Sequence, residues 1–144
     1  MATVADILIQ KGSTAHSVGP QATVYEAIEK MVVHNVGALL VVDGSQLVGI
    51  VTERDYLRQI AVKGRTSRET LVSAIMSNRL ITVAPSTTVE RCMQTMTERR
   101  IRHLPVLAGS RIAGVVSIGD IVKNLLREQA THIEHLTEYI QGRA

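Results

Sequence analysis

Aromatic side chains are almost missing from this 144-residue chain: Tyr25, Tyr56 and Tyr139 are present, with no Phe and no Trp. A core built without them must be aliphatic, and the stacking platforms that hold single-stranded nucleic acids are absent. Charge of one sign is equally scarce. The formal net charge is +3, too mild to imply a polyanion partner, and the one concentrated basic run is Arg99-Arg100-Ile101-Arg102-His103. Cys92 stands alone, so an intramolecular disulfide is excluded and a reducing compartment is indicated. No apolar run approaches the ~20 residues of a membrane helix. The opening Met1-Ala2-Thr3-Val4-Ala5-Asp6-Ile7-Leu8 has neither the charged start nor the long apolar stretch of a signal peptide. These absences set the expectation of a cytoplasmic protein. What is there, 45% apolar and 20% charged residues, is the composition of a globular unit.

The chain is a repeat. Gly49-Ile50-Val51-Thr52-Glu53-Arg54-Asp55 returns 65 residues later as Gly114-Val115-Val116-Ser117-Ile118-Gly119-Asp120. From Val18 onward the copies stay in register, with Pro20, Thr23, Val24, Met31, Leu39 and Val41 recurring as Pro85, Thr88, Val89, Met96, Leu104 and Val106. In the first copy Val24, Ala27, Ile28 and Met31 mark one face of a helix, matched by Val89, Cys92, Met93 and Met96. Thr23 with Glu26 predicts a capping box; Thr88 has Arg91 in that place. Cys92 aligns with Ala27 and reads as a small core residue rather than a nucleophile. Next come Ala38 to Val42 and Gln46 to Val51, joined by Asp43-Gly44-Ser45, a strong hairpin signal.

Each copy therefore reads short strand, helix, hairpin, helix. Val4 to Leu8 predicts a short leading helix with a counterpart in Val72 to Met76, and the connector predicts a short helix from about Arg68. Ile121 to Ile140 predicts a long final helix stopped by Gly142.

The repeated ending carries the chemistry. A hydroxyl at Thr52 or Ser117 falls at a helix N-cap, and Asp55 or Asp120 follows in the first turn. Backbone N–H groups there can hold an anion while the carboxylate accepts from hydroxyls, so a molecule with a phosphate and a nearby diol satisfies both. A single Thr-x-x-Asp before an apolar helix is an ordinary cap. Two copies in matching context turn the balance towards a ligand.

These endings, with the Arg102-His103-Leu104-Pro105-Val106 strand, resemble a tandem pair of CBS domains, the Bateman module. The resemblance implies an α/β fold of two β-α-β-β-α repeats related by a pseudo-two-fold axis, with a C-terminal helical extension. The whole chain, 1–144, then forms one regulatory module: a first repeat at 4–60, a connector at 61–71, a second repeat at 72–125 and a helical tail at 126–144. The closing Glu138-Tyr139-Ile140-Gln141-Gly142 is also similar to stand-alone two-CBS proteins of bacteria and plant organelles.

What the family implies is a non-catalytic sensor of energy or redox state that binds an adenine nucleotide. AMP heads a list that includes ADP, ATP, NAD(H) and S-adenosylmethionine; no metal is implied. Carried over, Asp55 and Asp120 hold ribose hydroxyls and Thr52 and Ser117 accompany them. Arg54, Arg102 and His103 gather phosphate, beside Pro105. The wider set is Lys11, Ser17, Val36, Gly37, Ala38, Thr82 and Ile101. The copies are unequal: Arg102-His103 stands where the first copy has Gly37-Ala38, and Gly119 stands where the first has Arg54. A homodimer and a regulated protein partner are implied, with no membrane.

Two other readings compete. An enzyme fragment related to inosine monophosphate dehydrogenase is opposed by the lack of room for a catalytic barrel and by the helical setting of Cys92. Nucleic-acid binding through Arg99 to His103 is opposed by the missing aromatics. His16, His34, His132 and His135 lack a spacing that suggests a metal.

Overall fold

The computed structural model describes residues 1–141, and Gly142, expected to stop the last helix, lies outside them. Helix α1 spans Val4–Lys11 and is followed by the two-residue strand β1, Ser17–Val18. Helix α2, Val24–His34, leads into strands β2, Ala38–Asp43, and β3, Gln46–Thr52. Helix α3, Glu53–Tyr56, widens at once into a π-helical turn at Leu57–Ala61. A single 3₁₀ turn, Val72–Ala74, precedes helix α4, Val89–Arg99. Strands β4, His103–Ala108, and β5, Arg111–Ser117, then feed the 23-residue helix α5, Ile118–Ile140.

The two halves are built alike because their sequences pattern alike. Val24, Ala27 and Met31 bury one face of α2, and Val89, Cys92 and Met96 bury the same face of α4. Met93, expected on that face, is 38% exposed. Both helices end on a left-handed residue, Asn35 and Arg100, after which a backbone N–H turns back to the last turn. Each hairpin is antiparallel, with Gly44 and Gly109 supplying the positive φ at its tip. The first sheet has β1 parallel to β2. In the second half that strand shrinks to one parallel bridge, Val83 with Val106.

The leading segments are exchanged between the halves. Val4 and Ile7 of α1 are buried with Val89, Cys92, Leu104 and Ile121 of the second half. Val72 and Ile75 are buried with Val24, Met31, Leu39 and Val51 of the first. Matched hydrogen bonds fasten the exchange: Val4 N donates to Thr87 O at 2.8 Å and Val89 N to Ala2 O at 3.0 Å, while Val72 N donates to Ala22 O and Val24 N to Thr70 O, both at 2.8 Å. First-turn N–H groups that have no partner within their own helix are thereby satisfied.

This explains why no helix forms from Arg68. Ser67 O and Thr70 O accept from Tyr25 N and Val24 N, so the connector runs as a strap across the start of α2, with the Arg68 guanidinium 3.9 Å from the centre of the Tyr25 ring. The expected capping box at Thr23 is half made: its Oγ1 accepts from Glu26 N at 3.1 Å, but the exposed Glu26 carboxylate gives no return bond.

The exchange also accounts for a glycine in each hairpin. A Cβ on Gly49 would stand 2.7 Å from Met76 Sδ and 2.9 Å from Ser77 O, and one on Gly114 would stand 2.9 Å from Leu8 Cδ2. The chain leaving each exchanged segment crosses a strand that has no side chain at that point.

Candidate functional site

At the start of α3, Asp55 Oδ2 accepts from Thr52 N at 2.9 Å and from Thr52 Oγ1 at 3.1 Å, and Thr52 Oγ1 accepts from Asp55 N at 3.2 Å. At the start of α5, Asp120 Oδ2 accepts from Ser117 N at 2.8 Å and Ser117 Oγ accepts from Asp120 N at 3.2 Å. Both are closed caps. A similar cap stands at α1, where Thr3 N donates to Asp6 Oδ2 at 2.8 Å, so hydroxyl-x-x-Asp alone is not a binding site. Surroundings separate the three. Asp6 is exposed, whereas Asp55 and Asp120 are half-buried, and among the described residues the Oδ1 of each accepts no hydrogen bond.

The strand before each cap closes the site from the other side. Ala38 lies opposite Thr52 in the first hairpin and His103 opposite Ser117 in the second. One residue earlier, Gly37 O accepts from Glu53 N at 3.0 Å and Arg102 O from Ile118 N at 2.9 Å. The sequence-expected pairs Gly37-Ala38 and Arg102-His103 therefore flank the helix starts that carry the hydroxyl and the acid.

Between the halves, a Cβ placed on Gly37 would meet Glu53 Oε1 at 2.5 Å and His103 Cε1 at 3.7 Å. His103 is half-buried, and that burial lowers its pKa from the ordinary value. Glu53 and Asp120 oppose the shift, and Lys11 and Arg102 add to it. Residues of both halves thus converge on one imidazole.

The two acids differ electrostatically. Burial raises the Asp55 pKa, and the Thr52 hydrogen bonds with the field of Arg58 only partly offset it. Burial acts on Asp120 in the same direction, but the Lys11 ammonium and the Ser117 hydrogen bonds outweigh it and hold that carboxyl below its ordinary value. Lys11 Nζ donates to Asp120 Oδ2 at 2.7 Å and to Val115 O at 3.0 Å. Lys11, expected as a phosphate contact, is engaged with the second acid.

Other expected residues fall nearby or in the framework. Arg54 and Arg102 are exposed, as is Thr82. Ser17 O accepts from Lys30 Nζ. Val36 N and Ile101 N donate to Met31 O and Met96 O, closing α2 and α4. Ala38 is buried, and Pro105 is buried opposite Val115 with its carbonyl accepting from Val83 N. Sequence reasoning missed Glu53 and Arg58. The signal was available for Glu53: its counterpart is Ile118, so a charge stands in one helix start and not in the other.

Among the described residues no group of three or more His, Cys, Asp and Glu is gathered in a way that could hold a metal. The rings of His16 and His34 stack with centroids 4.0 Å apart.

Comparison with known proteins agrees with this architecture. The family model for the CBS domain matches residues 4–62 and 72–127. The CBS domain-containing protein CBSX3, mitochondrial, of Arabidopsis thaliana is 48% identical over 149 residues, covering 97% of this chain and 72% of its own. The solved structure of a protein with CBS domains from Burkholderia ambifaria MC40-6 is 46% identical with a TM-score of 0.86, covering 89% of this chain and 96% of its own. The CBS domain pair of protein MJ0100, solved in complex with 5'-methylthioadenosine and S-adenosyl-L-methionine, is 25% identical with a TM-score of 0.78, over 89% and 98% of the two chains.

Proposed function

The chain belongs to the CBS-domain family, and from that premise we propose that it is a non-catalytic regulatory module that binds an adenine nucleotide, with AMP as first candidate. One observation carries the reading: at both matched helix starts a half-buried Asp commits one oxygen to its cap and leaves the other without a partner among the described residues. A ribose diol is the complement of that free oxygen, because a carboxylate accepts and hydroxyls donate. The adenosine ligands of MJ0100 support the same class. Arg102 and Arg54 supply positive charge for the phosphate, and His103, whose burial favours the neutral imidazole, offers a ring N–H as donor.

The clefts do not bind alike. At Asp120 the ammonium of Lys11 is already in place, so a diol arriving there shares the carboxylate or displaces Lys11. At Asp55 no ammonium competes. Because a ligand biases only states that it binds differently, displacement of Lys11, and with it of α1, is the step that turns occupancy into a change of surface. Glu53 beside His103 opposes phosphate, so a dianion must either shift Glu53 or draw a proton onto His103.

The same reading takes the protein as a homodimer with a regulated protein partner and a cytoplasmic address. No helix among the described residues is long and apolar enough to cross a membrane. The test is thermal unfolding of the purified chain with AMP, ADP, ATP, NAD(H) and S-adenosylmethionine in turn. A ligand at a hundredfold excess over its Kd stabilises the fold by about 2.7 kcal/mol. An unfolding midpoint unmoved by the whole panel refutes the reading.

A further inference from the structure

The two repeats are unequal where they meet. Glu53 corresponds to Ile118, His103 to Ala38 and Gly37 to Arg102, so the first half contributes an acid and a bare backbone, the second an imidazole and a guanidinium. The caps need none of these side chains, since Thr52 with Asp55 and Ser117 with Asp120 complete them. The fold nonetheless brings the acid and the imidazole to one place. Glu53 Oε1 and His103 Cε1 both reach the space over Gly37, 2.5 Å and 3.7 Å from where a Cβ would stand.

Four charged groups act on the His103 ring: the acids Glu53 of α3 and Asp120 of α5, and the cations Lys11 of α1 and Arg102 beside it in the chain. Two charges of each sign offset one another, and burial leaves the ring neutral. A phosphate dianion brought here adds two negative charges that these groups do not balance. Swinging Glu53 aside removes only one, so the ring still faces more negative charge than before. The response left is a proton from solvent on the imidazole, which turns its acceptor nitrogen into a second donor and makes the bond to phosphate charge-assisted. An adenosine whose 5' group is a thioether makes no such demand.

On the reading that an adenosine ligand sits here, we propose that Glu53 and His103 select its 5' group by charge: a phosphate dianion enters with a proton taken up by His103, and an uncharged 5' group enters without one. Glu53 sets the preference, because it weakens binding of the dianion and leaves the uncharged ligand alone. The module then reads proton concentration together with nucleotide. Its affinity for AMP rises as pH falls, by up to about tenfold per pH unit where uptake approaches one proton, while its affinity for 5'-methylthioadenosine stays level.

Calorimetric titration of the full chain at pH 7 with AMP and with 5'-methylthioadenosine, each in buffers of low and high ionisation enthalpy, counts the protons. AMP is expected to take up a substantial fraction of a proton and 5'-methylthioadenosine none. In His103→Gln the AMP-linked uptake should fall, and what survives belongs to the phosphate itself. Glu53→Gln should bind AMP several-fold more tightly with 5'-methylthioadenosine unchanged, a gain that misfolding cannot mimic. Equal uptake for the two ligands, undiminished uptake in His103→Gln, or an AMP affinity that Glu53→Gln does not raise each overturns the proposal and leaves the adenosine reading standing. A chain that binds neither ligand fails that reading, and the proposal with it.

Discussion

Lys11 Nζ lies 2.7 Å from Asp120 Oδ2, pinning the end of the first helix to the start of the last. The exchange of leading segments makes this contact possible, because α1 packs on the second half rather than on its own. The bond links the fold's most distant elements in sequence at an acid of the proposed nucleotide site.

Lys11→Met is expected to lower stability by about 0.5–1 kcal/mol at pH 7, the range for a partly screened pair. The Asp120 pKa lies below its unfolded value, so the pair's contribution is complete above the unfolded pKa and disappears as pH falls through the folded one. Denaturant unfolding of wild type and Lys11→Met should therefore give curves that converge in acid. The Asp120 carboxyl, followed by NMR, should titrate higher in the variant.

Gly49→Ala is expected to cost about 1–3 kcal/mol, the range for overpacking, since the new methyl meets a backbone carbonyl, Ser77 O, as well as Met76 Sδ. Gly114→Ala should cost less where Leu8 can swing aside, although its φ of +153° adds strain. Chemical denaturation of both variants gives the order.

Gly37→Ala should leave the unfolding midpoint within about 0.5 kcal/mol of wild type, because the group it meets is the mobile end of Glu53. The displaced Glu53 and crowded His103 should nonetheless change nucleotide affinity several-fold. Calorimetric titration beside the stability measurement separates the two effects.

The repeat made the fold legible: register alone placed both helix faces, Met93 apart, both hairpins and the hydroxyl-acid caps, since buried periodicity and N-cap chemistry are local. The exchange was not legible, because Val4-Ala5-Asp6-Ile7 buries the same face whichever half it joins. Nor was the partner of Lys11, a contact across 109 residues. The Arg68 segment misled because its helical propensity was outweighed by hydrogen bonds to α2. In the site, residue types pointed to Asp55 and Asp120, but the difference between them comes from Lys11 and Arg58, which only the folded chain brings near.

Acid should weaken the protein before its carboxylates titrate. Burial lowers the His103 pKa below its ordinary 6.5, so the unfolded chain takes up that proton first. The corresponding stability is full above pH 6.5 and is lost as pH falls through that value towards the folded one. His103→Gln should flatten the unfolding midpoint against pH in that window. A slope equal to wild type would show that His103 does not carry it.

Calorimetric titration of AMP into wild type, Asp55→Asn and Asp120→Asn tests the adenosine site most directly. Saturable heat in the wild type is expected, with the affinity of the affected cleft reduced at least about tenfold by each loss of a charged acceptor. Binding of equal strength in all three proteins would mean that neither carboxylate touches the sugar, and the proposed site would be wrong.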